Sequence, residues 1–359
     1  MALSVNPNAE IQEDGTTTQF RQFDVVSDDS DHHYLNWNNK IGKTTNGPDC
    51  FSNASSGVYK KIMKEWKVLE RNLPDSIYVR VYERRIDLLR AVIVGPAGTP
   101  YHDGLFFFDI AFPSDYPTLP PMVMYRSFGL RLNPNLYATG MVCLSLLNTW
   151  YGKRTEKWNP DESTVLQVLV SIQGLVLNKD PYFNEPGVGI FPGRARKSMV
   201  YNENAFVLSC KTMVYLLRKP PKNFEGFVAS HFRERARNIL AACSAYVDGR
   251  VKVGLYSENG SVCNSKSIKV SRNFKATMKY WCPEMVVAFD RAGAGDSLGN
   301  FVLQLKVENK KITTSFKGKM AKTVPLRTVV VKKAKCGISN VIRKFKKVLG
   351  LKKAGKQNV

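Results

Sequence analysis

The order of patterns along the chain predicts an α+β fold with an N-terminal helix, a four-stranded antiparallel meander and C-terminal helices. Three observations support this fold class: an amphipathic segment at 58–72, four short β-rich segments between 77 and 127, and long apolar helical segments between 163 and 247. Strands grouped together with helices on either side are typical of α+β rather than alternating α/β domains. The 359 residues, of which 43% are hydrophobic, suffice for one sizeable core.

The first element is predicted over 58–72, where VYKKIMKEWKVLERN carries apolar residues at helical spacing. Ile62, Trp66 and Leu69 fall on one face of this helix and lysines fall on the opposite face. Pro74 disfavours helical backbone in the residue before it, so the helix is expected to end ahead of Pro74.

Four strands are expected next, because the following segments are rich in β-branched and aromatic residues. The links between them are short, which favours antiparallel neighbours over parallel strands that need long crossovers. The four segments are IYVRVYE (77–83), LLRAVIVG (88–95), LFFFDIAF (105–112) and PMVMYRS (121–127).

Helices return in the second half of the predicted domain. STVLQVLVSIQGLVL (163–177) offers Ser163 and Thr164 as N-cap candidates. It is apolar nearly all round, which predicts a central, buried helix. Two further helices are predicted at 203–219 and 223–247.

The flanks of this domain differ from it in composition and define three predicted regions. Residues 1–55 carry eight acids and three bases and are expected to be an acidic, mostly disordered leader. Residues 56–250 form the predicted catalytic core. Residues 251–359 are expected to be a poorly defined basic tail and, like the leader, a flexible extension. An amphipathic helix within 270–293 and a basic one at 338–353 are predicted there.

The net charge of +23 is concentrated at the C-terminus, since residues 310–359 hold sixteen Lys and Arg and no acid. Such a run predicts salt-sensitive contact with an anionic membrane or nucleic acid, or a nuclear import signal. The seven cysteines include no CxxC pair, and the N-terminus has no signal-peptide pattern. Cytoplasmic and/or nuclear localisation is therefore expected.

Cys143 lies in the apolar run of NPNLYATGMVCLSLLNTW (133–150) and admits several interpretations. A cysteine in such a run is most often a core residue. A metal site lacks further ligands, because the only histidines are His32, His33, His102 and His231, at spacings that do not suit zinc. A cysteine hydrolase needs a histidine base in a recognisable context, and none is evident. A thiol that accepts an activated acyl group as a thioester needs no built-in base.

Three further motifs are YHDGLFFFDIAFPSDYPTLPP, the Asn-Pro-Asn turn whose Asn135 lies eight residues before Cys143, and Trp158-Asn-Pro downstream. Together these motifs resemble those of the ubiquitin-conjugating enzymes, across about residues 58–250. YGKRTEKWNPDESTVLQVLVSIQGL and DPYFNEPG (180–187) are similar to the large-core subclass, which includes the hybrid conjugating enzyme/ligases and their smaller plant-type relatives. The resemblance implies the ubiquitin-conjugating-enzyme fold.

The resemblance also implies roles for individual residues. Cys143 matches the thioester-forming cysteine, and Asn135 matches the asparagine that shapes the site loop and supports the oxyanion. A side chain of that kind can equally brace its own turn. Asn133 stands where most of the superfamily has histidine, as it does throughout this subclass. Asn184 and Glu185 are candidates for orienting the incoming lysine, with an exposed loop acid as the alternative for Glu185.

The family's partners are ubiquitin, the activating enzyme, protein substrates and in many cases a ligase. Lys60, Lys61 and Lys64 match the helix that binds the activating enzyme, although lysines are also common on any solvated helix face. The places matching the ligase-binding loops hold Phe112, Pro113 and Pro160.

The resemblance implies a transferase with no bound cofactor or metal, because ATP is consumed upstream by the activating enzyme. A catalytically weak variant that acts as a ubiquitin-pathway scaffold is the alternative. One departure from the relatives is the more basic segment VGIFPGRARKSMVYNENAF that follows Gly187.

Overall fold

The structure is a computed structural model that describes residues 20–36, 50–150, 152–184, 193–257 and 268–299. It contains a five-stranded sheet in which neighbours along the chain are neighbours in space. The last four strands form the predicted antiparallel meander, which is confirmed. The strands are β1 (Phe23–Val26), β2 (Ile77–Tyr82), β3 (Leu88–Val94), β4 (Leu105–Ala111) and β5 (Met122–Tyr125).

Five helices accompany this sheet in the described part of the chain. Ser56 caps the first helix, and Thr164 caps the second by accepting a hydrogen bond from the Gln167 N–H. The helices are α1 (Gly57–Asn72), α2 (Val165–Ser171), α3 (Arg194–Arg218), α4 (Glu225–Val247) and α5 (Arg272–Phe289). A wider π turn, Ile172–Val176, continues α2. None of the described helices is long and apolar enough to cross a membrane.

The sheet packs helices against both of its faces, because successive side chains of a strand point in opposite directions. Phe106 and Phe108 belong to a core shared with Ile62 of α1 and Val168 of α2. Phe107, between them in sequence, belongs to a second core built from α3, α4 and α5. The helix containing 163–177 is less buried than expected, since Val170 is 43% exposed and Leu175 is 65% exposed.

Part of the acidic leader, predicted to be mostly disordered, is docked on the sheet. Within the predicted leader, β1 pairs in parallel with β2, so the sheet is mixed rather than a purely antiparallel meander of four strands. Asp31 reaches the sheet from the same segment and accepts a hydrogen bond from the Arg90 guanidinium at 2.5 Å. The sheet thus supplies Arg90 as a charged partner that holds the segment containing Asp31 in place.

Arg90 is the most deeply buried charge at this contact. It is 0% exposed and lies directly opposite Asp109 in the register of β3 and β4. Its Nε and Nη2 donate to the two Asp109 carboxylate oxygens at 2.6 and 3.0 Å. Arg126 also donates to Asp31, at 3.1 Å. A buried guanidinium needs such partners, since an unpaired buried charge is strongly unfavourable.

The packed region also extends beyond residue 250 into the predicted tail, where α5 confirms the amphipathic helix predicted within 270–293. Phe274, Met278 and Phe289 of α5 are buried in the core that includes α3 and α4. These apolar residues recur at helical spacing, so docking α5 removes its apolar face from water. The predicted helix at 338–353 and the charged segment 310–359 lie outside the described residues.

Replacing Asp109 should expose the energetic role of the Arg90 partner. Asp109→Asn is expected to lower the free energy of unfolding by about 3 kcal/mol or more, because it leaves a buried guanidinium without its carboxylate. Chemical unfolding at neutral pH measures this loss. Asp75→Asn, which changes an exposed carboxyl group, is the matched control and should have little effect.

The pH dependence of the free energy of unfolding tests the Arg90–Asp109 pair in a second way. Burial raises the pKa of Asp109, but the Arg90 hydrogen bonds and the His32 and Arg90 charges outweigh it and hold that pKa below its usual 3.8. A lowered folded-state pKa contributes stability above the unfolded-state pKa and loses it as the pH falls through the folded-state value. The wild type should therefore lose more stability than Asp109→Asn between about pH 5 and pH 3. Equal losses would contradict this assignment.

Candidate functional site

Cys143 lies opposite Asn135 in a short hairpin, and two hydrogen bonds join these residues. The Cys143 N–H donates to the Asn135 carbonyl at 2.9 Å, and the Asn135 Nδ2 donates to the Cys143 carbonyl at 2.8 Å. The turn of the hairpin requires Gly140, which has φ of +92° and whose added Cβ would lie 2.6 Å from the Tyr125 carbonyl oxygen. Asn135 and Cys143, eight residues apart in sequence, are therefore paired directly across the hairpin.

Asn133 holds this hairpin against the rest of the domain. Its side chain is 0% exposed and its Nδ2 donates to the Tyr101 hydroxyl at 2.8 Å and to the Val176 carbonyl at 2.7 Å. Its Oδ1 accepts from the Asn135 N–H at 2.8 Å. One amide thus joins the turn after β3, the end of the α2 segment and the Asn135 backbone.

Asn184 belongs to the same hydrogen-bond network. Its Nδ2 donates to the Val176 carbonyl at 3.1 Å and to the Asn133 Oδ1 at 3.4 Å. Its Oδ1 accepts from the Asn178 Nδ2 at 2.6 Å. The side chain is therefore engaged in holding the 3-10 turn Pro181–Asn184. Glu185, the other predicted lysine-orienting residue, lies outside the described residues.

The Asn135 side chain favours the bracing role over a dedicated oxyanion donor. One of its two N–H groups is committed to the Cys143 carbonyl, and the residue is 7% exposed. Its Oδ1 is buried and has no hydrogen-bond partner. The structure thus shows the Asn135 amide bracing the Cys143 backbone, and the oxyanion role of its second N–H stays a prediction.

Tyr137 and Arg131 act on the Cys143 thiol, and the sequence analysis predicted neither. The Tyr137 side chain and the Arg131 charge both act to lower the pKa of that thiol. The Arg131 guanidinium carbon lies 4.8 Å from the centre of the Tyr137 ring, which is cation–π geometry. Tyr137 is two residues from Asn135, so its place in the short hairpin was the available signal.

Tyr137 and Arg131 oppose the effect of burial on the pKa of the Cys143 thiol. Cys143 is 3% exposed, and burial raises the pKa of its thiol above the ordinary value. The Tyr137 hydrogen bond and the Arg131 charge lower the pKa but do not overcome burial. Burial thus favours the neutral thiol, and the Tyr137 side chain and the Arg131 charge act in the opposite direction.

Thr149 fixes the chain on the other side of Cys143. Its hydroxyl oxygen accepts from the Leu144 N–H at 2.9 Å and its hydroxyl donates to the Val142 carbonyl at 2.8 Å. The residues immediately before and after Cys143 are thus tied to one side chain. A local hydroxyl–backbone contact of this kind competes with regular structure and keeps the segment in a turn.

The predicted partner-binding lysines lie on α1, away from its buried face. Lys60 and Lys64 are exposed. Lys61 is half-buried and its Nζ donates to the Pro160 carbonyl at 3.3 Å. Lys61 and Pro160, predicted for different partners, therefore lie next to each other.

The prediction that Phe112 contacts a ligase is wrong, because this side chain is buried. It is 2% exposed and packs on Tyr116 with ring centroids 4.7 Å apart, because the proline-rich turn folds back over it. A partner could not reach this side chain on the surface. Pro113 and Pro160 are half-buried and keep part of their surface exposed. Across the described residues, no cluster of three or more His, Cys, Asp or Glu side chains is arranged to hold a metal ion.

Comparison with known proteins identifies the family. Residues 61–188, which include Cys143 and Asn135, match the sequence profile described as ubiquitin-conjugating enzyme. The Arabidopsis thaliana protein named ubiquitin-conjugating enzyme E2 38 is 56% identical over 233 residues, which cover 64% of this chain and 68% of that protein. The chain belongs to the ubiquitin-conjugating enzyme family.

Two further relatives agree with the predicted large-core subclass. The Arabidopsis thaliana protein named ubiquitin-conjugating enzyme E2 23 is 49% identical over 290 residues, covering 79% of this chain. The human dual E2 ubiquitin-conjugating enzyme/E3 ubiquitin-protein ligase BIRC6 is 38% identical over 248 residues, covering 64% of this chain and 5% of that protein. The chain spans about a quarter of the length of the E2 23 relative.

Removing the Tyr137 hydroxyl should raise the pKa of the Cys143 thiol further. Tyr137→Phe is expected to slow iodoacetamide alkylation of Cys143 roughly threefold at pH 8, because a group that lowers the pKa of the thiol is removed. Mass spectrometry of the Cys143 peptide separates this site from the other thiols. Tyr280→Phe, at a side chain 65% exposed, is the matched control. Unchanged alkylation across the pH range in Tyr137→Phe would show that the hydroxyl does not act on the thiol.

Proposed function

We propose that this chain is an active ubiquitin-conjugating enzyme that carries ubiquitin as a thioester on Cys143. The observation that supports it best is the two-bond pairing of Cys143 with Asn135, which fixes the thiol-bearing backbone inside the family-matched region. The Tyr137 hydroxyl and the Arg131 charge beside the sulfur further support a role that needs a thiolate.

The proposed reaction has two acyl-transfer steps. In the first, the Cys143 sulfur attacks the carbonyl carbon of ubiquitin held as a thioester on the activating enzyme. A new C–S bond forms at Cys143, the older C–S bond breaks, and the activating enzyme's cysteine leaves as thiolate. The Cys143 proton passes to solvent or to that departing thiolate.

In the second step a substrate lysine takes ubiquitin from Cys143. The neutral lysine nitrogen attacks the thioester carbonyl, a C–N bond forms and the C–S bond to Cys143 breaks. The lysine proton leaves to solvent and Cys143 departs as thiolate, which the Tyr137 side chain would stabilise. Asn184 would act here by holding the rim beside Asn133 rather than by touching the lysine.

The proposed partners follow from the family and from the exposed surface of α1. Lys60 and Lys64 would contact the activating enzyme, and Pro113 with Pro160 would contribute to a ligase contact. ATP would be consumed by the activating enzyme, and this chain would bind no cofactor. Contact of residues 310–359 with an anionic membrane or nucleic acid stays a prediction.

A thioester assay tests the proposal directly. The full chain is mixed with activating enzyme, ubiquitin and ATP and analysed on a non-reducing gel with and without dithiothreitol. We expect a dithiothreitol-sensitive band that Cys143→Ala abolishes and Cys50→Ala retains. A thiol-sensitive band in Cys143→Ala would reassign the nucleophile. No band with folded wild type and an active control enzyme would favour the scaffold alternative.

Asn135→Ala separates the two roles of the amide. Because one Asn135 N–H is committed to the Cys143 carbonyl, we expect loading and discharge to free lysine to slow by similar factors, roughly tenfold each. Single-turnover rates of each step measure this. Asn72→Ala, which removes an exposed amide on α1, is the control. A defect confined to discharge would instead assign Asn135 to the oxyanion.

A further inference from the structure

A surface groove lies beside the N-terminal end of α3. It has a cavity volume of about 480 Å³, and its lining includes Tyr182, Arg196, Lys197, Val200 and Tyr201. The Tyr182 and Tyr201 ring centroids are 6.0 Å apart, and Val200 is 47% exposed. The groove therefore combines an apolar floor with a cationic edge.

The cationic edge is not neutralised by the part of the protein that the structure describes. Arg196 and Lys197 are exposed and form no ion pair there. The first turn of α3 contains no acidic residue, and its N-cap, Gly193, has no side chain to accept from the helix. Both side-chain charge and helix polarity at this end are positive.

The groove is fixed relative to the Cys143 site by hydrogen bonds. Tyr182 lies in the turn Pro181–Asn184, and Asn184 donates to the Asn133 Oδ1 that also accepts from the Asn135 N–H. The other wall is tied to the same segment, since the Ser198 hydroxyl donates to the Asp180 carboxylate at 3.3 Å. Both walls of the groove are thus connected to residues that flank the site.

We propose that this groove binds an acidic segment of the protein substrate, with an aromatic or apolar residue on the tyrosines and its carboxylates beside Arg196 and Lys197. Charge complementarity selects the occupant, because an exposed cationic edge over an apolar floor suits an acidic amphipathic peptide. The segment would adjoin the acceptor lysine. This inference rests on the proposed function and adds a substrate class to it.

Peptide binding to the full chain without ubiquitin on Cys143 tests the groove without requiring catalysis. The probe is fluorescein-labelled Lys-Ala-Phe-Glu-Asp-Glu, with Lys-Ala-Phe-Gln-Asn-Gln as the neutral counterpart, measured by anisotropy at low and high salt. Arg196→Glu with Lys197→Glu should weaken acidic-peptide binding about tenfold at low salt. Arg196→Glu alone should weaken it about threefold. Lys219→Glu is the control matched to that single variant, because it makes the same two-unit change of charge at the C-cap of α3, about 30 Å away.

The comparison between variants removes the contribution of the basic segment 310–359, which all of them share. Equal weakening by Lys219→Glu, or no weakening by the double variant, would overturn the groove as the binding site. Equal binding of both peptides, or a preference for the acidic peptide that does not change with salt, would contradict the proposal that the groove selects acidic segments.

Discharge of the ubiquitin-charged chain to the same peptides links the groove to the reaction. The double variant should raise the KM for the acidic peptide about tenfold and leave the KM for the neutral peptide within twofold. A kcat defect for both peptides with KM unchanged would contradict docking at the groove. If no charged chain forms, the proposed function fails, whereas the anisotropy result stands or falls separately.

Discussion

The buried amide of Asn133 is the constraint on which the site depends. It donates to Tyr101 and Val176 and accepts from the Asn135 N–H, all within an environment closed to water. Water cannot replace any of these bonds, so losing one leaves a buried polar group unpaired at a cost of about 1–3 kcal/mol. The position of the hairpin that carries Cys143 is thereby coupled to the end of the α2 segment.

A second polar centre holds the periphery of the domain to the sheet. Asp31 accepts from Arg90 and Arg126 in the sheet region and from the Lys222 N–H between α3 and α4 at 3.3 Å. The acidic leader therefore connects strands and helices that are distant in sequence. Asp31 acts as a specific partner of the buried Arg90, and a net-charge argument alone could not reveal that.

Much of the fold was predictable because local sequence and burial agree. The amphipathic α1 begins at a serine cap and ends before Pro74, and β2 to β5 follow their β-rich segments closely. The parallel pairing of β1 was not predictable, since four residues in a polar leader pair only because β2 offers an edge.

Side-chain surroundings were harder to infer than backbone elements. Motif resemblance could locate Cys143 and Asn135, but the contacts of Tyr137 and Arg131 arise only when the hairpin brings residues before and after the turn together. The burial of Phe112 likewise depends on Tyr116 folding over it.

The enclosure of Cys143 has a consequence for the chemistry of its thiol. Peroxide and other electrophiles attack thiolates far faster than thiols, and they need access to the sulfur. Cys143 is 3% exposed, and burial raises the pKa of its thiol. Oxidants are therefore expected to react with Cys143 more slowly than with an exposed cysteine of ordinary pKa.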